Sequence, residues 1–245
     1  PAALAQTLPT RARVVGGQAA FADDGLNLKV HQSTPAAIIS WETFSIGQPN
    51  SVYVDNGSGA TLNRVRGNVA SQIDGSLTAT GSLYLINPAG IAVGSTGRIE
   101  TGGSFVGSTL ELSDEEFAKA ARGQTYTLKG GSSATVRNAG RIGALGGDVA
   151  LIGRTVENMG DIDAPNGTAA LAAGTEVLVQ EVLIKDRALD GGRFIVKAGG
   201  AGTVVRNSGN VRAAEVELRA NGGNVYALAG NRSGVIAATG TAGRG

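Results

Sequence analysis

The chain has 245 residues, 39 of them glycine, a net charge of +1, no cysteine and a single histidine, His31. These totals exclude disulfides, thiolate metal sites and zinc-protease helices, all but exclude histidine-based triads, and leave no Lys/Arg cluster of the kind nucleic-acid binding needs. Glycine at roughly twice its usual ~7%, aromatics at only 4% and a hydrophobic fraction of 42% suit thin stacked layers of strands with many turns.

Taken from the start, Ala3, Leu4 and Ala5 have the small-x-small form of a signal-peptidase site, so residues 1–5 read as a signal-peptide remnant. Residues 6–245 read as one unit, and no stretch reaches the ~20 apolar residues that a membrane helix needs. Val14 with Val15, Ala37 to Trp41, Val52 to Val54 and Leu62 to Val65 read as strands, while the polar run Lys29 to Thr34, carrying His31, reads as a surface loop. Leu83 to Ile86 is an apolar run that stops at Asn87 and Pro88 and restarts after Gly90 at Ile91. Pro fixes φ, Asn bonds its own backbone two residues on, and Gly takes positive φ without steric cost, so this is strand, sharp turn, strand. Ser113 with Glu116 forms a capping box ahead of Phe117 to Arg122, and Gly123 closes the one short helix.

Repeats then dominate. Asn138, Gly140, Ile142, Ala144 recurs as Asn158, Gly160, Ile162, Ala164 and as Asn207, Gly209, Val211, Ala213, with a looser echo at Gly234, Ile236, Ala238. A unit of 20 residues, built of two short alternating strands with Asn at one fixed place, is the pattern of a parallel β-helix whose coils stack about 4.8 Å apart. Stacking places Asn138, Asn158 and Asn207 above one another as a structural ladder. Residues 71–245 are then β-helix coils, with excursions near 113–134 and near 176–197; the second is a hairpin of Val177 to Ile184, a polar turn Lys185 to Gly192, and Phe194 to Val196. Residues 6–70 form the N-terminal cap and first coils, plugged by Trp41, Phe44 and Phe21. The pattern runs to Gly245 without a closing element, so the native chain is expected to continue.

Parallel β-helices also carry polysaccharide-cleaving enzymes. Asp161 and Asp163 lie two apart on one strand face, about 7 Å, within the ~6.5–9.5 Å range of an inverting carboxylate pair. They alternate with Ile162 and therefore face solvent as the strand pattern requires, and Thr168 stands where Asp148 would find an acidic partner one coil on. No catalytic residue, cofactor or metal site is assigned. Asn56, Asn166 and Asn231 fit the Asn-x-Ser/Thr pattern, which chance supplies readily in such a chain.

Ile39, Ser40, Trp41; Phe44 to Gly47; Leu62, Asn63, Arg64, Val65; Ile86 to Ile91; and Ser108, Thr109, Leu110 with Ser113, Asp114, Glu115 resemble, in order, the N-terminal secretion domain of two-partner secretion exoproteins, the domain of filamentous haemagglutinins and high-molecular-weight adhesins. The resemblance runs from about residue 12 to 240. It implies an all-β fold, a right-handed single-stranded parallel β-helix with an N-terminal cap, extra-helical hairpins and one short helix. It also implies a monomer without enzymatic activity, secreted or held at the cell surface of a Gram-negative bacterium after crossing the periplasm. Its partner would be a cognate outer-membrane β-barrel transporter acting through periplasmic domains. Asn87, Pro88, Gly90, Ile91, Asn63 and Arg64 are the residues expected to serve recognition or the folding nucleus. The family turn reads Asn, Pro, Asn, Gly, Ile; Ala89 here lacks the second amide. The competing reading is an adhesive β-helix that binds host or surface glycans directly.

Overall fold

The computed structural model describes residues 7–180, 193–199, 202–220, 229–231 and 236–238. The signal-peptide remnant, the turn Lys185 to Gly192 and the end Gly240 to Gly245 lie outside these residues.

Strands begin with β1 (Arg13–Gly16), β2 (Ala19–Asp23), β3 (Asn27–Gln32), β4 (Ala36–Trp41), β5 (Ser51–Asp55) and β6 (Ala60–Val65). Then come β7 (Ser71–Ile73), β8 (Ser76–Ala79), β9 (Ser82–Ile86), β10 (Ile91–Val93), β11 (Arg98–Thr101) and β12 (Phe105–Ser108). The helix α1 (Asp114–Ala120) precedes β13 (Tyr126–Lys129), β14 (Thr135–Asn138), β15 (Arg141–Ala144), β16 (Val149–Gly153), β17 (Thr155–Asn158) and β18 (Asp161–Ala173). The chain continues through β19 (Glu176–Val179), β20 (Phe194–Ala198), β21 (Val204–Asn207), β22 (Asn210–Ala220), β23 (Ala229–Asn231) and β24 (Ile236–Ala238).

The fold is an all-β parallel β-helix with three faces. One face stacks β3, β5, β8, β11, β15 and the first parts of β18 and β22; the second stacks β4, β6, β9, β12, β16 and the later parts of β18 and β22. The third face is β7, β10, β14, β17, β21 and β23. The 20-residue unit therefore holds three strands rather than two. The third, Thr135–Asn138, buries only Val136 and Asn138, so its single apolar inward residue gives no alternation to read.

Register explains the repeat. Leu28, Val52, Leu77, Ile99, Ile142, Ile162 and Val211 stand over one another down the first face, all at most 5% exposed. Each such side chain gains about 1.5–3 kcal/mol by leaving water, a gain that exists only because a neighbouring coil covers it. The repeated glycine follows from close approach at the corner: a Cβ on Gly160 would lie 2.0 Å from the Gly140 carbonyl oxygen, and one on Gly209 equally 2.0 Å from that of Gly160.

At the N-terminal end β1 and β2 pair antiparallel with β4 and β3 and cover the first coil. Trp41 (2% exposed) and Phe44 (1%) close the core edge to face, with ring centroids 5.4 Å apart. Phe21 lies edge-on to Trp41 at 5.7 Å but stays 38% exposed, a lid on the plug rather than part of it. The segment read as a loop around His31 is instead strand β3, whose Leu28, Val30 and Gln32 point inward. Its outward residues are all polar, and His31 Nδ1 lies 3.0 Å from the Asp55 carboxylate.

The second face is buried on both sides. Ile38, Leu62, Tyr84, Ile86, Val106 and Ile152 point outward from the helix yet form a second core with α1, β13, β19 and β20. The two excursions join here, since β13 pairs antiparallel with β19 and β19 with β20. The cap of α1 is half of a capping box: Ser113 Oγ accepts from the Glu116 N–H at 3.2 Å. The Glu116 carboxylate does not return the bond; it accepts from the Thr127 N–H at 2.6 Å and from Lys119 Nζ, tying the helix to β13.

Candidate recognition turn and folding nucleus

Asn87 organises its turn with every polar group it has. Its Oδ1 accepts from the Ala89 N–H at 2.9 Å and its carbonyl from the Gly90 N–H at 3.0 Å, which closes the chain between β9 and β10. Its Nδ2 donates to the Val69 carbonyl at 3.0 Å and to Ser71 Oγ at 2.9 Å, both in the coil before. Its own N–H donates to the Ser108 carbonyl, 2.9 Å away in the coil after. One buried side chain thus links successive coils, and it is 0% exposed.

The neighbours are equally committed. The Pro88 carbonyl accepts from Ser132 Oγ at 2.6 Å, and the Gly90 carbonyl accepts from the Ser71 N–H at 2.9 Å. Gly90 has φ of +123°, a region that L side chains rarely adopt, and a Cβ there would meet Ala70 Cβ at 3.3 Å. Ile91 is 2% exposed and stands in register between Ser71 and Val136. Pro88 and Ala89 are the half-buried tip, so the departure from the family turn falls where a side chain reaches the surface. The turn carries no titratable side chain.

Asn63 and Arg64 lie beside the turn: β6 pairs with β9 so that Asn63 stands next to Leu85 and Arg64 next to Ile86. They face opposite ways. Asn63 points into the helix, where its Oδ1 accepts from Trp41 Nε1 at 3.0 Å and its Nδ2 donates to the Tyr84 carbonyl at 3.4 Å. Arg64 points outward beneath α1 and donates through Nη2 to the Leu112 carbonyl at 2.7 Å and to Asp114 Oδ1 at 2.6 Å. Its Nε has no hydrogen-bond partner. Asn63 therefore ties the turn's strand to the aromatic plug, and Arg64 ties it to the helix.

The asparagine ladder stands on the strand that the turn launches, because Val93 of β10 is in register with Asn138, Asn158 and Asn207. Asn138 Nδ2 donates to Asn158 Oδ1 at 2.8 Å, Asn158 Nδ2 to Asn207 Oδ1 at 2.7 Å, and all three are 0% exposed. Backbone register continues from Asn207 to Asn231.

Sequence reading missed the turn's distant partners, Ser71, Ser108 and Ser132, since an isolated serine carries no sign of what it will meet. It also missed the buried polar cluster of Asn56, Thr61 and Gln32. Asn56 is no open acceptor site: its Nδ2 donates to Thr61 Oγ1 and the Ser82 carbonyl, both 2.9 Å, and its Oδ1 accepts from the Gly81 N–H at 2.6 Å. Asn166 is exposed, and the side chain of Asn231 lies outside the described residues. Asp161 is exposed and accepts from Asn210 Nδ2 at 2.9 Å, while Asp163 is half-buried. Among the described residues no group of three or more His, Cys, Asp or Glu side chains could hold a metal, and no helix is long and apolar enough to cross a membrane.

The chain is thus a parallel β-helix with an N-terminal cap, an extra-helical sheet and an internally bonded Asn-Pro turn. The model of the TPS secretion domain matches residues 5–241, and the chain belongs to that family. It is similar to a heme/hemopexin-binding protein of Haemophilus influenzae strain Rd, at 32% identity over 236 residues, 91% of this chain and 24% of that protein. A second heme/hemopexin-binding protein from Haemophilus influenzae is 37% identical over 87 residues, 35% of this chain and 9% of that protein. The chain thus spans about a quarter or less of these relatives. The crystal structure of the HMW1 secretion domain from Haemophilus influenzae superposes with a TM-score of 0.74 at 29% identity, covering 86% of this chain and 56% of that one. A TPS secretion domain is a secretion module of two-partner secretion exoproteins, exported by Gram-negative bacteria, and not an enzyme.

Proposed function

We propose that this domain is the address by which a cognate outer-membrane transporter recognises a larger exoprotein, and the nucleus from which that exoprotein folds after export. The observation that carries the reading is the internal bonding of Asn87. With its side chain 0% exposed and bonded within the turn and to the coil before, it offers nothing to a partner once the turn has closed. Recognition of Asn87 therefore acts on the open chain, in the periplasm, through the transporter's periplasmic domains. Closure outside the membrane then consumes the same groups in coil-to-coil bonds, and each new coil stacks on a finished one. Directionality comes from folding, with no other energy source needed at the outer membrane.

Direct glycan adhesion has less support. Of the exposed aromatics among the described residues, Phe21 packs edge-on against Trp41 and Tyr53 lies under Lys29 Nζ, 5.7 Å from the ring centroid, so neither ring is an open platform. The test is binding of the soluble periplasmic domains of the transporter to urea-unfolded and to folded chain. The proposal expects the unfolded chain, freshly diluted, to bind more tightly than the folded one. Equal binding, or binding to the folded domain alone, contradicts it.

A further inference from the structure

The three-stranded sheet β13, β19, β20 is a strap over the outer side of the second face, and two buried carboxylates grip its last strand. Asp148, just before β16, accepts from the Thr168 N–H at 2.8 Å through Oδ1 and from Arg193 Nε at 2.5 Å through Oδ2. Glu217, on β22, accepts from the Arg193 N–H at 2.6 Å through Oε1 and from the Phe194 N–H at 3.1 Å through Oε2, and Arg219 Nε lies 3.3 Å from the same Oε2. The grip falls where β20 begins, opposite the end of β19, where the Gln180 N–H donates to the Arg193 carbonyl at 2.8 Å. Beneath the strap lies a polar cavity of about 220 Å³ lined by Ser82, Tyr84, Ser104, Gln124, Tyr126 and Asp148.

Chain order gives this geometry its meaning. Asp148 precedes the hairpin, but Glu217 follows it and belongs to the next coil over β18. Until that coil stacks, water stands where the Glu217 carboxylate will accept from the Arg193 and Phe194 N–H groups, and the strap lacks the two charge-assisted bonds that hold it closed. We infer that Glu217 is a latch: stacking of β22 locks the strap β19–β20 onto the second face, so the strap closes only after the coil that follows it has formed. In a chain that folds from its N-terminus, α1 and β13 cover Tyr84 early through Phe117 and Tyr126, whereas the outward Ala170 and Ala172 of β18 stay uncovered until residue 217 is in place. The latch rests on geometry and chain order and holds whether or not the transporter reading is correct.

The experiment is hydrogen exchange by mass spectrometry on the whole chain, in two forms. In pulse-labelled refolding of wild type, peptides from 176–180 and 193–198 are expected to gain protection together with, or after, peptides from 210–220, and later than those from 105–108 and 149–153. Strap peptides protected before β22 overturn the inference. At equilibrium, Glu217→Ala is expected to speed exchange of the strap peptides at least tenfold and leave β9, β12 and β16 unchanged, with Glu217→Gln, which keeps one acceptor oxygen, in between. Strap exchange equal to wild type in Glu217→Ala also overturns it, as does an equal rise in every segment.

Discussion

Replacing Asn158 with alanine removes the middle rung of the asparagine ladder. Asn158 accepts from Asn138 Nδ2 at 2.8 Å and donates to Asn207 Oδ1 at 2.7 Å and to the Gly160 carbonyl at 3.2 Å, all inside the helix. A buried bond contributes about 1 kcal/mol net and a stranded buried polar group costs about 1–3 kcal/mol. Asn138 keeps a 3.3 Å bond to the Asp161 carbonyl, which softens the loss. The expected cost is about 2–4 kcal/mol. Asn158→Asp costs more at neutral pH, because it sets a carboxylate oxygen against Asn207 Oδ1. The assay is urea unfolding followed both by circular dichroism, which sees every coil, and by fluorescence of Trp41, the sole tryptophan, which sees the cap. Stacked-coil proteins need not unfold in one step, so the dichroism midpoint should fall further than the fluorescence midpoint. Asn166→Ala, which loses one exposed bond to the Leu145 carbonyl, is the control. If Asn158→Ala costs no more than that control, the ladder is not a source of stability and the argument from stacking fails.

Gly90→Ala forces a side chain into φ of +123° against Ala70 and should cost about 1–3 kcal/mol, more than Gly57→Ala, where φ is +57° and nothing lies within 4 Å; equal urea midpoints would contradict this. Arg64→Met removes the anchor of α1 but also the unpartnered Nε, so its cost should stay near ~1–2 kcal/mol and show as faster amide exchange confined to 114–120. Burial raises the Glu217 carboxyl above its ordinary value of about 4.5, so its contribution to stability is complete below that value and lost as pH rises through the raised one. Melting temperatures of wild type should therefore fall with rising pH over that window relative to Glu217→Gln, and parallel curves would refute the assignment.

What could be read from the sequence was whatever repeats at a fixed step or sits within one turn of itself. Asn138, Asn158 and Asn207 mark the coil because stacking demands like above like, and α1 shows its cap and its Gly123 stop locally. The third strand of each coil was hidden because Asn138 occupies an inward position that alternation reserves for an apolar residue. Strand β3 passed for a loop because its outward Lys29 and His31 masked Leu28 and Val30. The strap was half visible: its hairpin showed as two apolar runs, but pairing of Tyr126 with Val179 joins segments with no shared signature. Burial of Asn87 was invisible for the same reason, since its partners Val69, Ser71 and Ser108 are set by coil register and not by spacing along the chain.

The most direct test of the central claim is export of this domain, as wild type and Asn87→Ala, from Gram-negative cells with and without the cognate outer-membrane transporter, alongside urea unfolding of both purified forms. The account predicts that wild type reaches the medium only with the transporter, and that Asn87→Ala is exported poorly and unfolds at lower urea. An Asn87→Ala that stays inside yet keeps the wild-type urea midpoint would remove the folding half of the proposal and leave recognition alone. Wild type appearing outside regardless of the transporter would contradict the account as a whole.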